Sequence, residues 1–226
     1  MNKVNYQKQL DEILRQLPET EPGKKQGNKS GRKLLLHSCC APCSSYVLEY
    51  LRQYFEITVL YYNPNITERE EYEKRAAEQK RLIQEMNEEA DEGCGNYILA
   101  EEGRYDPERF FAAAKGLELV PEGGERCFRC YEIRLRETAR IAREQDFDYF
   151  TTTLTISPLK NADKLNEIGN RLAEEYGVAF LPSDFKKKNG YKRSVELSLK
   201  YGLYRQDYCG CVFSKAERER SKGSGS

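Results

Sequence analysis

The sequence predicts an α/β protein: a Rossmann-like (HUP-type), mostly parallel sheet flanked by helices, with an N-terminal helical extension. Three observations carry this. Short apolar, strand-like segments at 34–36, 57–65, 97–102, 148–155 and 178–182 alternate with helical periodicities. That alternation is the pattern of βαβ units, whose crossovers place helices on both sheet faces. The stretch LLLHSCCAPCSS, residues 34–45, then runs from a buried strand through a tight turn into a helix. A turn of that kind, at the carboxyl end of a strand, is where an open α/β sheet presents a site. Here it carries Cys39, Cys40 and Cys43 where a phosphate-binding loop has glycines.

The elements follow in order. Residues 3–17 set Leu10, Ile13, Leu14 and Leu17 on one helical face. Residues 18–31 form a Pro/Gly/polar linker, so the first helix is expected as an appendage packed on the domain. After the cysteine turn, SSYVLEYLRQY is helical and ITVLYYNPN (57–65) is a buried strand closed by Asn-Pro-Asn. Thr67 with Glu70 reads as a capping box, and Tyr72, Ala76, Gln79, Ile83 and Met86 step along the helix behind it. YILAEE (97–102) is a strand, and residues 106–117 form a short helix with Pro107 in its first turn. A glycine-flanked turn leads into a helix carrying Tyr131, Leu135, Thr138 and Ala142. Residues 148–155 are β-rich until Ser157-Pro158 breaks them. The next helix carries Leu165, Ile168, Leu172 and Tyr176 and is closed by Gly177. VAFLP (178–182) is a last strand, KKKNGYKR a basic loop, and SVELSLKYGLY a last helix leading to DYCGC. This gives an N-terminal helix and linker (1–31), one catalytic α/β domain (32–214) and a tail (215–226) whose final KGSGS reads as a cloning remnant.

At 226 residues the chain suits one well-packed domain. Lys+Arg and Asp+Glu both number 37, so no global field attracts nucleic acid and any such contact needs a local patch. The sequence has no apolar run of about 18 residues and no signal-peptide pattern, so a cytoplasmic protein without membrane contact is expected. Structural disulfides are rare there, and the 8 cysteines ask for a metal or redox explanation.

Cys127 and Cys130 form C-x-x-C entering a helix, Cys209 and Cys211 form C-G-C, and Cys94 stands alone. C-x-x-C lets thiolates on one turn reach a single centre, and a helix N-terminus favours their anionic form. A four-cysteine zinc site usually shows a pair of clean C-x-x-C knuckles, and only one is present. An iron–sulfur cluster accepts irregular separations and fits at least as well. The C-G-C pair reads either as a source of one more metal ligand or as a strained, oxidising dithiol couple, with glycine permitting the backbone geometry. Cys94 and Cys43 read as inert thiols.

HSCCAPCS, RCFRCYEIRLRETA, TTTLTISPLKN and the terminal DYCGC together resemble the QueH-type epoxyqueuosine reductases, over about residues 33–213. The resemblance implies an oxidoreductase that reduces the epoxide of epoxyqueuosine in tRNA to queuosine. It implies a 4Fe–4S cluster on Cys39, Cys40, Cys127 and Cys130, with Cys209 and Cys211 as a redox-active pair. A competing implication is a second, mononuclear iron held by the C-G-C thiolates with an acid such as Asp207. The N-terminal extension and the segment around Cys94 depart from the family pattern without touching these motifs.

The chemistry agrees with that inventory. Epoxide removal takes a pair of electrons, a cluster passes them singly, and a second redox element completes the count. An acid must protonate the leaving oxygen. His37, Asp207 and Tyr208 are the candidates, with His37 also readable as a residue that orients the cysteine turn. No G-x-G-x-x-G motif occurs, so the expected donor is external, a ferredoxin or similar. For tRNA carrying epoxyqueuosine at the anticodon, Lys186, Lys187, Lys188, Lys192 and Arg193 read as a phosphate clamp, with Tyr191 placed to stack on an unpaired base. Without the resemblance, the same run reads as a solvated face. Asn63, Asn65 and Tyr61-Tyr62 lie near a strand end and are candidates for the base pocket, with Tyr61 also readable as core. Two rival functions stand beside the reductase. One is a zinc-stabilised RNA-binding module without redox chemistry. The other is a thiol-based tRNA sulfur transferase, against which the missing S-G-G-x-D-S loop counts.

Overall fold

The computed structural model describes residues 4–17, 31–91 and 95–223. Cys94 and most of the linker lie outside the described residues. Five strands form one parallel sheet: β1 (Arg32–His37), β2 (Phe55–Tyr61), β3 (Ile98–Glu102), β4 (Tyr149–Thr152) and β5 (Ala179–Phe180). Their order is β3-β2-β1-β4-β5. The chain steps outward from β1 to β3, then returns to the other side of β1 for β4. That reversal opens a crevice between the carboxyl ends of β1 and β4, the topological switch point where α/β sheets bind ligands.

Eight helices among the described residues surround the sheet: α1 (Tyr6–Gln16), α2 (Ala41–Leu51), α3 (Arg69–Asp91), α4 (Pro107–Ala114), α5 (Glu125–Glu144), α6 (Ala162–Tyr176), α7 (Gly190–Lys200) and α8 (Val212–Gly223). A central parallel strand is buried on both faces, which explains the unbroken leucine run of β1. Leu34 and Leu36 enter the core shared with α1, α2, α3 and α7, whereas Leu35 faces the core built from α5 and α6. Full burial of each leucine stabilises the fold by roughly 1.5–3 kcal/mol. The first helix is part of this packing: Leu10 and Leu14 are buried in the first core, and Asn5 caps the helix by accepting from Lys8 N.

Several boundaries differ from those expected. β2 stops at Tyr61, short of residue 65, because the chain turns there: Ile66 N donates to Asn63 O. β4 stops at Thr152, whose side chain accepts from Leu154 N and starts a 3₁₀ turn over Thr153–Ile156. The last strand shrinks to Ala179–Phe180. The capping box at Thr67 does not form: α3 starts at Arg69 and the buried Thr67 hydroxyl has no hydrogen-bond partner. α7 begins at Gly190, so Tyr191, Lys192 and Arg193 lie on its first turn rather than in a loop. A Cβ at Gly190 would stand 1.9 Å from the Phe185 carbonyl oxygen, and only glycine fits that junction. α8 crosses the boundary drawn at 214 and is tied to the body through Glu217, which accepts from Arg126 Nη2 at 2.9 Å.

Candidate metal and redox site

The turn after β1 is held from three sides. Ser38 N donates to Leu60 O, and the Ser38 and Ser44 hydroxyls both donate to Gln79 Oε1 of α3, at 2.6 and 2.9 Å. Across the crevice, Thr153 Oγ1 accepts from Cys39 N at 3.2 Å and lies 3.4 Å from the Cys39 sulfur. With the backbone pinned, the sulfurs of Cys39, Cys40 and Cys43 all lie within 4.8 Å of one another. Cys39 and Cys40 are 3.8 Å apart. That matches the edge of a tetrahedron with metal–sulfur bonds of about 2.3 Å, roughly 3.8 Å. Cys43, read from the sequence as inert, therefore stands inside the thiol group. Its signal was present as C-x-x-C spacing from Cys40 at the start of a helix.

Within the trio, the Cys40 and Cys43 thiols hydrogen-bond the Cys39 sulfur, which lowers its pKa well below the ordinary thiol value. Cys40 is correspondingly pushed up to about 12, and Cys43 is raised as well. Cys127 and Cys130 lie on the opening turns of α5. The Cys127 sulfur accepts from Gly123 N at 3.2 Å, and Arg134 Nη1 approaches the Cys130 sulfur at 3.9 Å. Burial raises both, Cys130 to about 11. These two thiols, Cys209 and Cys211 line a small cavity of about 10 Å³. Cys209 also lines a larger cavity of about 330 Å³, shared with Cys39, Cys40 and Cys43. Cys209 thus forms part of the wall of both. Between the cysteines of C-G-C, Gly210 has φ +108°, a backbone that side chains rarely adopt.

Arg134 is the group between these sulfurs that sequence reading missed. It is fully buried yet makes no ion pair with a carboxylate among the described residues. Its donors reach His37 Nε2 at 3.2 Å, Asn63 Oδ1 at 2.6 Å and the Cys130 sulfur. Burial works against its charge, and the neighbouring sulfurs of Cys130, Cys39 and Cys209 favour it when they are ionised. On the helix it reads as one more surface arginine, so only the tertiary packing reveals it.

His37 is fully buried, with Nδ1 2.8 Å from Thr152 Oγ1 and Nε2 3.1 Å from Tyr62 O. Burial and the Arg134 charge push its pKa down to about 3. With both ring nitrogens engaged, it braces the turn from behind. Asp207 borders the larger cavity but is exposed, and its hydrogen bond with Lys222 at 2.7 Å holds it below the usual carboxylate range. That pairing opposes protonation of Asp207. Tyr208 lines the same cavity with the Arg75 guanidinium over its ring.

The basic segment is largely neutralised by the protein itself. Lys186 pairs with Asp184, Lys188 with Asp11 at 2.7 Å, and Arg193 with Glu49 and Glu196 at 2.7 and 3.1 Å. Lys187 and Lys192 are exposed and make no ion pair among the described residues. Tyr191 is 42% exposed and lines the larger cavity. Asn63 and Asn65 are buried supports: Asn63 Nδ2 donates to Ser38 O and Asn65 Nδ2 to Cys209 O. Tyr61 and Tyr62 are core residues, each 3% exposed. Glu122 and Lys160, which pair at 2.7 Å and line both cavities, also went unread in the sequence.

An all-parallel α/β sheet that gathers thiols at its switch point, around a buried arginine, defines a Rossmann-like protein with a cysteine group able to bind metal. The family is identified by comparison. A family model described as "Epoxyqueuosine reductase QueH" matches residues 34–217, and the chain belongs to that family. It is 44% identical over 214 residues to the epoxyqueuosine reductase QueH of Staphylococcus epidermidis, covering 94% of this chain and 85% of the relative. The protein of that name from Streptococcus pyogenes serotype M1 is 42% identical, with 94% and 78% covered. That from Thermotoga maritima is 37% identical, with 82% and 91% covered. No helix among the described residues is long and apolar enough to cross a membrane.

Proposed function

We propose that this protein reduces the epoxide of epoxyqueuosine in tRNA to the alkene of queuosine, in the cytoplasm, using a 4Fe–4S cluster on Cys39, Cys40, Cys127 and Cys130. The observation that carries the cofactor is Arg134. A buried cation without a carboxylate is costly unless an anion answers it, and the Cys130 sulfur lies 3.9 Å from this one, with Cys39 and Cys209 near enough to act on its charge. An all-thiol donor set from separate segments fits an iron–sulfur centre. When bound, the cluster supplies electrons one at a time, delivered by an external one-electron donor of the ferredoxin type.

The protein's residues do the rest. The larger cavity, about 330 Å³, is within the range of small-molecule pockets and suits a splayed-out nucleobase. Tyr191 at its rim offers a stacking face, and Lys187 and Lys192 on the same segment offer charge to phosphates. Cys209, in the wall of both cavities, together with Cys211 provides the second redox element, as a dithiol or as ligands of a further iron. His37, Ser38 and Gln79 fix the turn. Residues 32–214, extended by α8, make up the catalytic unit, with α1 packed on its surface.

The spacing of Cys39, Cys40 and Cys43 favours one competing reading, a single thiol-bound ion such as zinc. Iron, sulfide and nucleoside product measured on Cys209→Ser and Cys211→Ser proteins separate the possibilities. A dithiol role predicts an intact cluster with conversion lost; ligation of a further iron predicts loss of iron at constant sulfide. Stoichiometric zinc without sulfide in anaerobically prepared wild-type protein would overturn the cluster.

A further inference from the structure

The turn that follows the 3₁₀ segment ends on Lys160, and its ammonium points into the site. Its side chain is only 9% exposed, and Nζ lies 2.7 Å from Glu122 Oε1. Glu122 is held in turn: Ser214 Oγ donates to its other oxygen at 2.8 Å, and the same hydroxyl accepts from Cys209 N at 3.1 Å. Lys160 and Glu122 line both the substrate-sized cavity and the small thiol cavity, as Cys209 does. A buried ammonium therefore stands where a molecule in the larger cavity meets the sulfurs, fixed through Glu122 and Ser214 to the C-G-C backbone.

The reaction needs an acid at that place. Converting an epoxide to an alkene breaks both C–O bonds of the ring, forms the π bond and forms the O–H bonds of one water. It consumes a pair of electrons, supplied by the external one-electron donor, and a pair of protons. An oxygen that leaves carbon without a proton carries full negative charge, so the step depends on a donor within hydrogen-bond reach. His37 already has both ring nitrogens engaged, with Thr152 and the Tyr62 carbonyl. Asp207 is exposed and ion-paired.

We propose that Lys160 is the proton donor to the epoxide oxygen, an inference that rests on the reaction assigned above. Its N–H hydrogen-bonds the ring oxygen of the bound nucleoside and transfers its proton as the first C–O bond breaks. The neutral amine left behind is reprotonated from solvent, and the second proton reaches the same oxygen before water departs. Glu122 is a positioning residue that aims the ammonium.

The test uses the cluster-loaded protein with Lys160→Met and Lys160→Arg variants. First, tRNA affinities are compared for anticodons carrying epoxyqueuosine and queuosine, which differ only in the ring oxygen. The wild type is expected to prefer the epoxide by roughly tenfold or more, as a charged hydrogen bond implies, and Lys160→Met to erase the preference. Second, Lys160→Arg keeps a cation opposite Glu122, but a guanidinium does not release its proton. It is expected to retain iron, sulfide and tRNA affinity while turnover falls at least about a hundredfold. Lys160→Arg turning over within a few-fold of wild type, or Lys160→Met keeping the preference, would overturn the inference. So would iron lost from Lys160→Arg, since Lys160 would then belong to the metal-holding frame. A wild type that holds its cluster yet leaves the epoxide intact removes the assigned reaction itself and the inference with it, so that failure is told apart from the others.

Discussion

Arg134 donates to Asn63 Oδ1 at 2.6 Å, with both side chains withdrawn from solvent. The bond joins α5 to the turn after β2, and Asn63 passes the constraint on by donating to Ser38 O at 2.9 Å. A positive charge is thereby fixed beside Cys130 and near Cys39. Such a charge favours the more negative, reduced form of a neighbouring cluster. Arg134→Met is expected to lower the reduction potential of the metal centre, and Arg134→Lys to restore part of it. A redox titration followed by electron paramagnetic resonance checks this; equal potentials in all three proteins contradict it.

The ion pairs sort the basic segment into cations already neutralised and cations still available. Each available cation that meets a phosphate adds about 0.7–0.9 to the log–log salt slope. Lys187→Ala with Lys192→Ala is expected to flatten the slope of tRNA binding by about 1.5. Lys186→Ala with Lys188→Ala should flatten it less, because Asp184 and Asp11 already hold those charges. Affinities measured across a salt series decide, and an unchanged slope in the first pair makes this segment a solvated face.

Gly210 holds C-G-C in a left-handed backbone, and a Cβ there would lie 2.8 Å from Ile66 Cγ1. Strain of this kind costs on the order of 1–3 kcal/mol. The Gly210→Ala protein is expected to remain folded by circular dichroism but to lose most turnover as Cys209 and Cys211 shift. Turnover equal to wild type would show that the placement of this pair is not critical.

The N-terminal helix is held by packing as well as by Asp11–Lys188. Leu10 is fully buried, and truncating a core leucine costs roughly 2–5 kcal/mol. In a protein of this size that corresponds to a fall in Tm of about 5–15 °C. A thermal melt of Leu10→Ala within about 2 °C of wild type would mean that the helix docks too weakly to matter.

Local pattern made much of this architecture legible. The leucines of β1, the spacing of Leu10 and Leu14, and the buried face of α3 from Tyr72 to Met86 all appear where periodicity puts them. Patterns of local residue type also located the thiols. What could not be read were tertiary pairings. Thr152 ends its own strand by capping the next turn, and Thr67 fails as a cap because α3 starts later. Of the candidates for the base pocket, Asn63 is spent on Ser38 and Arg134, and Asn65 gives its amide N–H to the Cys209 carbonyl. Arg134 and Lys160 carry the charges that shape the site, yet on a helix and in a turn they resemble ordinary surface cations. Their partners lie far off in sequence, Asn63 for one and Glu122 for the other.

Epoxide reduction at this thiol site depends on the cluster that Cys39, Cys40, Cys127 and Cys130 would hold. Its most direct test is nucleoside mass spectrometry on tRNA carrying epoxyqueuosine, after anaerobic incubation with iron- and sulfide-loaded protein and a one-electron reductant. The expected product is a nucleoside lighter by one oxygen, queuosine, with none formed by a Cys127→Ser protein that lacks the cluster. Unchanged epoxyqueuosine with the loaded wild-type protein, or equal conversion by Cys127→Ser, would contradict it.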